Sequence, residues 1–213
     1  MNVVVVGASS SIGKPIMKAF TAAGHETIGT SRRELDLANV ESIRSFVSKV
    51  YDVDALVMLA GILPGKRLEV CDVSDIVQVM TVNFIGPVVL VKEMLPRMRK
   101  GAQVLMMSSI AADRGSFDPI YAASKAALEG FVRSMALWSS GIRFNAIAPG
   151  LIAGSSMHEA MIPERRTKHA EQTPTQRLTT IDEIAQIVIE VCGPVWANVN
   201  GHVFSVDGGR RCA

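Results

Sequence analysis

The stretch NVVVVGASSSIG, Asn2 to Gly13, carries three instructions in twelve residues. Four consecutive valines ask for a strand buried on both faces, since a strand with one wet face would alternate apolar and polar residues. A turn rich in Gly and Ser follows, Gly7 to Gly13. A helical pattern then runs through Met17 and Phe20 to Gly24, which is placed to close the helix as its C′ residue. A strand that feeds a helix through such a turn leaves backbone N–H groups and the positive helix end facing one point, which suits a pyrophosphate.

The same alternation continues downstream. "HETIGTS" (25–31) reads as a second strand and "ELDL" (34–37) as a further strand of at most four residues. In 38–50, Val40, Ile43, Phe46, Val47 and Val50 share one helical face, with Asn39 as N-cap. "DALVMLA" (54–60) is a strand with two apolar faces. A long helix from about 74 to 98 contains "VNFIGP" (82–87), where Pro87 should bend it. "AQVLMMSS" (102–109) is a strand, Asp118 and Pro119 form an N-cap and N1 pair, and "IRFNAIAPG" (142–150) is a strand and turn. Thr180 and Glu183 make a capping box before an amphipathic helix, and "HVFSVDGG" (202–209) is the last strand and turn. Strands alternating with helices predict one α/β domain over residues 1–213. Its sheet is parallel and doubly wound, with helices on both faces and ligands beyond the carboxyl ends of the strands.

Composition narrows the function classes. The chain has 213 residues and a formal net charge of +2, so nothing electrostatic argues for nucleic acid or a membrane surface as partner. No apolar run is read as reaching transmembrane length, and the N-terminus lacks the basic start of a signal peptide. Cys71, Cys192 and Cys212 have neither disulfide nor zinc spacing, which fits a reducing cytoplasm and gives no metal set.

Chemistry gathers at the strand ends. Tyr121 and Lys125 in "YAASK" lie one turn apart on one helical face, where an ammonium beside a phenol favours the phenolate and lowers its pKa. Ser108 and Ser109 close the strand before them. Ser31, Arg32 and Arg33 follow the second strand, where a guanidinium suits a ribose 2′-phosphate and an acid would suit a free 2′-hydroxyl.

Taken in order, "GASSSIG", "LDL", "LAG", "VNFIGP", "MSS", "YAASKAALEGF", "IRFNAIAPGLI", "RLTTIDEIA" and "VDGG" resemble the short-chain dehydrogenases/reductases almost end to end, in particular the compact branch with ketoacyl and carbonyl reductases. The resemblance implies a Rossmann-like fold and an NADP(H)-dependent oxidoreductase that interconverts a ketone or aldehyde and an alcohol. Within it, Tyr121 matches the general acid/base and Lys125 the lysine that lowers its pKa and holds the nicotinamide ribose. Ser109, rather than Ser108, matches the substrate-positioning serine, and Asn83 the asparagine of the proton relay. Cofactor contacts would come from Gly7, Ser9, Ser10, Ser11 and Ile12 at the diphosphate, and from Ser31 and Arg32 at the 2′-phosphate. Asp36 and Leu37 match a pair beside adenine, Ala60 and Gly61 line the ribose, and Pro149, Gly150 and Ile152 pack on the carboxamide.

The pattern has departures: Ser11 replaces a glycine, Val6 a threonine, and Met58-Leu59 paired asparagines. Almost nothing remains between Arg33 and Asp36, where relatives place a helix and part of a strand. Residues 151–177 are expected to form a long polar substrate-lid loop. In it, Met157, Met161 and Ile162 suit an apolar substrate, whereas Arg165, Arg166 and Lys168 suit an acidic one. Phe131 and Trp138 are expected to be exposed for packing against a sister subunit in a homodimer or homotetramer. The alternative reading is a catalytically weak NADP(H)-sensing regulatory protein, which the intact Ser109, Tyr121 and Lys125 set disfavours.

Overall fold

The computed structural model describes residues 1–212. The valine run forms β1 (Asn2–Val6), flanked by β2 (Glu26–Thr30) on one side and β3 (Val53–Met58) on the other, both parallel to it. Beyond β3 come β4 (Met98–Met107), β5 (Arg143–Pro149) and, after two short strands β6 (Ile152–Ala153) and β7 (Thr179–Thr180), β8 (Val203–Val206). The main sheet is six-stranded and wholly parallel in the order β2-β1-β3-β4-β5-β8. The order reverses between β1 and β3, so a crevice opens at their carboxyl ends, where Gly7 and Ala60 sit.

Both faces are covered, and the valines show it. Val4 and Val6 pack with Ile43, Leu90, Val132 and Phe144 beneath α2 (Val40–Val47), α4 (Gly86–Met94) and α6 (Pro119–Trp138). Val3 and Val5 pack oppositely with Ile16, Phe20, Ile184 and Val188, beneath α1 (Gly13–Ala22) and α9 (Ile181–Cys192). Caps fall where the residue types place them. Asn39 accepts from the Glu41 and Ser42 amides, Thr180 and Glu183 complete a capping box, and Gly24 has φ +78°.

Three expectations change. "ELDL" is no strand: the amides of Glu34 and Leu35 bond back to the Ser31 carbonyl, curling the chain away from the edge of β2. Its alternating leucines still have a purpose, because Leu35 and Leu37 are buried in the core under α2 and α4. β2 is consequently the sheet's edge strand, with Ile28 exposed.

The second change is in the long helix. It runs from Val73 to Arg97, long and apolar enough by length and composition to cross a membrane, contrary to the reading of the sequence. It is not one regular helix. α3 (Val73–Met80) passes into a π-helical turn, Thr81–Ile85, before α4. Pro87 has no N–H to return to the carbonyl four residues back, that of Asn83, and a wider turn is one way for a helix to accommodate this. Gly86 is required for another reason: a Cβ there would strike the Leu37 carbonyl.

The third change is the segment 151–177, which is not a plain loop but carries two helices. It holds α7 (Ser156–Glu159), capped by Ser155, and α8 (Pro163–Glu171), opened by Pro163. Its ends are joined by the two-residue parallel pairing of β6 with β7, so the lid leaves and re-enters the body through one clamp. Phe131 is also not free for a partner. It sits edge-on between Phe84 and Phe144, whereas Leu137 and Trp138 are exposed.

Candidate active site

A cavity of ≈ 1000 Å³ lies over the carboxyl ends of the strands, roofed by the lid. Its floor is set by α6. Asp118 caps that helix through Oδ1, which accepts from the Tyr121 amide at 2.9 Å. The other oxygen, Oδ2, accepts from the Gly65 and Lys66 amides at 2.9 and 3.3 Å. One buried carboxylate thereby holds the start of the Tyr121 helix against the loop that follows β3, a role the N-cap pattern alone did not reveal.

Tyr121 and Lys125 both line this cavity, as their spacing predicts. Lys125 is buried, and its Nζ donates to the Met107 carbonyl at 2.8 Å. Its other two N–H groups have no protein acceptor among the described residues. Loss of hydration drops the lysine to about 8.

The expected depression of the tyrosine does not occur. Crowding around the phenol pushes Tyr121 upward, Ser109 partly offsets this by bonding to the charged form, and Asp118 adds to the rise. The ammonium lies 5.7 Å from the ring centroid and is committed to a backbone carbonyl, too far to override the loss of water. Tyr121 therefore keeps its proton firmly at neutral pH.

Ser108 and Ser109 diverge. Ser108 is buried beneath α6, donating to Glu129 Oε1 at 2.9 Å, and Glu129 in turn pairs with Arg133 at 3.0 Å. Ser109 faces the cavity and the phenol, and its Oγ accepts from the Ala111 amide at 3.2 Å. Asn83, on the π turn, is fully buried. Its Oδ1 accepts from the Ile62 amide at 2.7 Å, and its Nδ2 donates to the Ile62 carbonyl at 2.9 Å and to Ser124 Oγ at 3.0 Å. A Cβ on Gly61 would meet both Asn83 Oδ1 and Lys125 Nζ at 3.3 Å, so the asparagine and the lysine converge on that glycine.

The expected cofactor residues separate into two groups. Ser10, Ser11, Ile12, Gly61, Pro149, Gly150 and Ile152 line the cavity. Gly7 and Ala60 lie just behind it, and Gly7, at φ +87°, could carry no Cβ, which would come within 2.9 Å of the Ala60 nitrogen. A Cβ on Gly13 would strike the Gly7 carbonyl, so the loop can fold this tightly over the start of α1 only with glycine at both ends. This bare backbone at the start of α1 fits a dinucleotide diphosphate.

Ser11, the departure from glycine, has acquired a partner. Its Oγ accepts from the Ser156 amide at 3.0 Å and lies 3.1 Å from Ser156 Oγ, tying the Gly-rich loop to the lid.

Ser9, Ser31, Arg32, Asp36 and Leu37 do not line the cavity. Ser9 is exposed on the turn. Arg32 is exposed and loosely paired, its Nε 3.9 Å from Asp36 Oδ2. Glu34, which follows the arginines, folds back so that its carboxylate accepts from the Ser31 amide at 2.7 Å. Asp36 receives the Ala38 amide at 3.0 Å. Leu37 belongs to the core rather than to an adenine pocket, because the shortened connection after β2 pulls it under α4.

In the lid, Met157, Met161 and Arg165 line the cavity, whereas Ile162 is exposed at the start of α8. Arg166 is spent on Glu159 and the Met161 carbonyl, and Lys168 does not line the cavity. His158 caps no chemistry: its Nδ1 lies 2.9 Å from Glu159 Oε1. Sequence reasoning missed Arg114, His169 and Arg210, which come to the cavity from three separate segments.

A family profile described as enoyl-(acyl carrier protein) reductase matches residues 7–211. The 3-oxoacyl-(acyl-carrier-protein) reductase FabG of Vibrio cholerae serotype O1 is 32% identical over 232 residues, covering 96% of this chain and 95% of its own. The 7alpha-hydroxysteroid dehydrogenase of Escherichia coli K12 is 30% identical over 237 residues, covering 97% and 92%. Among solved structures, the aldohexose dehydrogenase of Thermoplasma acidophilum superimposes with a TM-score of 0.93 over 100% of this chain and 94% of its own. At 24% identity that likeness speaks for the fold.

Proposed function

The chain belongs to the short-chain dehydrogenase/reductase family, a family of carbonyl/alcohol oxidoreductases, and from that premise we propose that it works with NADP(H) and with Tyr121 as general acid and base. The observation that carries the reading is the convergence of Tyr121, Lys125 and Ser109 on a single cavity at the switch in strand order, with Asn83 buried behind the lysine at Gly61. The nicotinamide, when bound, supplies or accepts the hydride.

The protein's part is proton management and positioning. Tyr121 donates its proton to the carbonyl oxygen in reduction and takes it back in oxidation, and the Ser109 hydroxyl steadies the same oxygen. Lys125, anchored on Met107, turns its remaining N–H groups into the cavity, where ribose hydroxyls would accept them. Asn83 fixes the backbone at Ile62 and, through Ser124, the first turn of α6, so that Tyr121 and Lys125 keep their spacing. The loop from Gly7 to Gly13, chiefly through Ser10, Ser11 and Ile12, would hold the diphosphate, and Pro149, Gly150 and Ile152 would face the carboxamide.

NADP(H) in preference to NAD(H) rests on Arg32. Its side chain lies exposed just past β2, with Asp36 at 3.9 Å as a loose carboxylate neighbour, while Glu34, the acid nearest in sequence, is occupied by the Ser31 amide. Arg32→Ala is expected to raise the Kd for NADPH about tenfold or more, as loss of a charge-assisted bond does, and to leave NADH nearly unchanged. Equal weakening of both dinucleotides, measured by fluorescence titration, removes the 2′-phosphate assignment.

Self-association stands on narrower ground than the sequence implied. Leu137 and Trp138 at the end of α6 remain as exposed apolar groups, and we expect them to be covered by a second copy of the chain. Light scattering at micromolar concentration is expected to give at least a dimer, and Trp138→Glu to weaken it. A monomeric wild-type protein defeats the expectation.

A further inference from the structure

Besides Lys125, the cavity is lined by four basic side chains: Arg114 at the end of α5 (Ala111–Arg114), Arg165 and His169 on α8, and Arg210 after β8. Elsewhere in the molecule Arg44, Arg133, Arg166, Arg177 and Arg211 each find a carboxylate within hydrogen-bonding or ion-pair range. Arg114, Arg165 and Arg210 have no carboxylate within 4.0 Å among the described residues, although each faces a cavity.

The acids close to this group are committed. Asp207, which also lines the cavity, accepts from the Gly209 amide at 3.0 Å and from the Arg211 amide at 2.6 Å. Asp113, beside Arg114, pairs outward with Arg211 at 3.3 Å.

The guanidinium groups are also held in place. Arg165 lies over the Phe117 ring, 5.9 Å from its centroid. Arg210 is pinned to Gln172, donating Nη1 to its carbonyl at 3.0 Å and Nη2 to its side-chain oxygen, while its Nε is buried with no partner among the described residues. His169 feels the crowd: burial first, then Arg210, Arg165 and Arg114, hold its pKa below the ordinary histidine range. Positive charges that face one cavity and act on the same histidine, with no carboxylate partner among the described residues, repel one another, and a bound oxyanion relieves this.

We infer that the lid side of the cavity is an oxyanion subsite, built by Arg114, Arg165 and Arg210, and that the substrate is a carbonyl or hydroxy compound carrying a carboxylate or phosphate remote from the reacting carbon. Met157 and Met161 line the same cavity, which suits an apolar chain between the oxyanion and the reacting carbon. The inference rests on the reading of Tyr121 as the group that meets the carbonyl. It adds that the lid selects by charge at the far end of the molecule. The neutral form of His169 fits as a hydrogen-bond partner that brings no further charge into the cluster.

The test uses straight-chain oxo-carboxylates, their methyl esters and the matching oxo-phosphonates with the full-length protein. Two readouts are followed: kcat/KM from NADPH oxidation, and calorimetric affinity of 4-oxopentanoate against its methyl ester. The wild type is expected to favour the anion about tenfold or more in both readouts, by the strength of a charge-assisted bond. The carboxylate and phosphonate arms tell which oxyanion fits.

Arg165→Gln and Arg114→Gln are each expected to collapse the acid-to-ester ratio, and Arg165→Lys to restore part of it. Equal treatment of acid and ester by the wild type overturns the subsite. So does a loss in the glutamine variants that falls equally on NADPH affinity, since the guanidinium groups would then serve the dinucleotide. If no carbonyl compound is turned over but the acid still binds more tightly than the ester, the subsite stands and the proposed reaction falls.

Discussion

Tyr121→Phe is expected to lower turnover of any accepted carbonyl compound by about a thousandfold, within the range that positioned acid–base catalysis contributes, and to leave NADPH affinity and thermal stability nearly unchanged. The ring remains and only the hydroxyl is lost, and no backbone contact of α6 depends on that oxygen: the helix is capped by Asp118 through the Tyr121 amide, not through the phenol. Because burial raises the phenol's pKa, the wild type holds its proton across neutral pH. The rate of reduction should therefore be flat from mildly acidic to neutral solution, below the point near 8 where Lys125 loses its charge. Oxidation, which needs a phenolate to receive the alcohol proton, should climb as pH rises. Stopped-flow turnover in both directions over that range checks the sign, and a phenylalanine variant with near wild-type rate removes Tyr121 from the chemistry altogether.

The sheet was legible because burial on both faces leaves a direct mark. The runs at 2–6 and 54–58 have no polar alternation, and a parallel sheet is the structure that demands this. Caps were legible too, since Asn39, Asp118 and Thr180 each meet local amides that nothing else satisfies. "ELDL" misled because leucines two apart satisfy a strand and a plugged turn equally well, and a ladder partner cannot be read from the segment itself. The lid helices were hidden for the opposite reason. α8 is polar on nearly every side, so it offers no apolar period, and only Pro163 and Ser155 mark the helix starts. The π turn leaves even less trace: Gly86 and Pro87 marked a disturbance at the right place, but not that it lies in the turn before them. At the site, the Tyr121–Lys125 pair follows from helix geometry alone. The three cavity arginines come from α5, α8 and the C-terminal turn, and a grouping that exists only after folding has no spacing to detect.

Lys125→Met is expected to move activity and stability in opposite directions. Turnover should fall about a hundredfold or more, because the group proposed to meet the ribose beside the phenol is gone. Stability at neutral pH should rise. Burial brings the ammonium from 10.5 to about 8, and at about 1.4 kcal/mol per pH unit this difference is a cost on the order of 3 kcal/mol to the folded state. Removing the side chain also strips the Met107 carbonyl of its donor, which returns about 1–3 kcal/mol of that gain. The net expectation is about 1 kcal/mol of stabilisation, or about 2–4 °C in Tm for a chain of this size. The sign with pH is fixed by linkage. Below about 8 the wild-type lysine is charged in both states and the folded protein bears the whole cost. Between there and 10.5 the unfolded chain binds more protons than the folded one, so wild-type stability rises with pH and the advantage of methionine shrinks. Urea denaturation of both proteins at neutral pH and near pH 10 measures the difference. A methionine variant that is less stable at neutral pH, with no convergence at high pH, would mean that the bond to Met107 outweighs the buried charge. The lysine would then be as much a strut of β4 and α6 as a functional group that the fold tolerates at a cost.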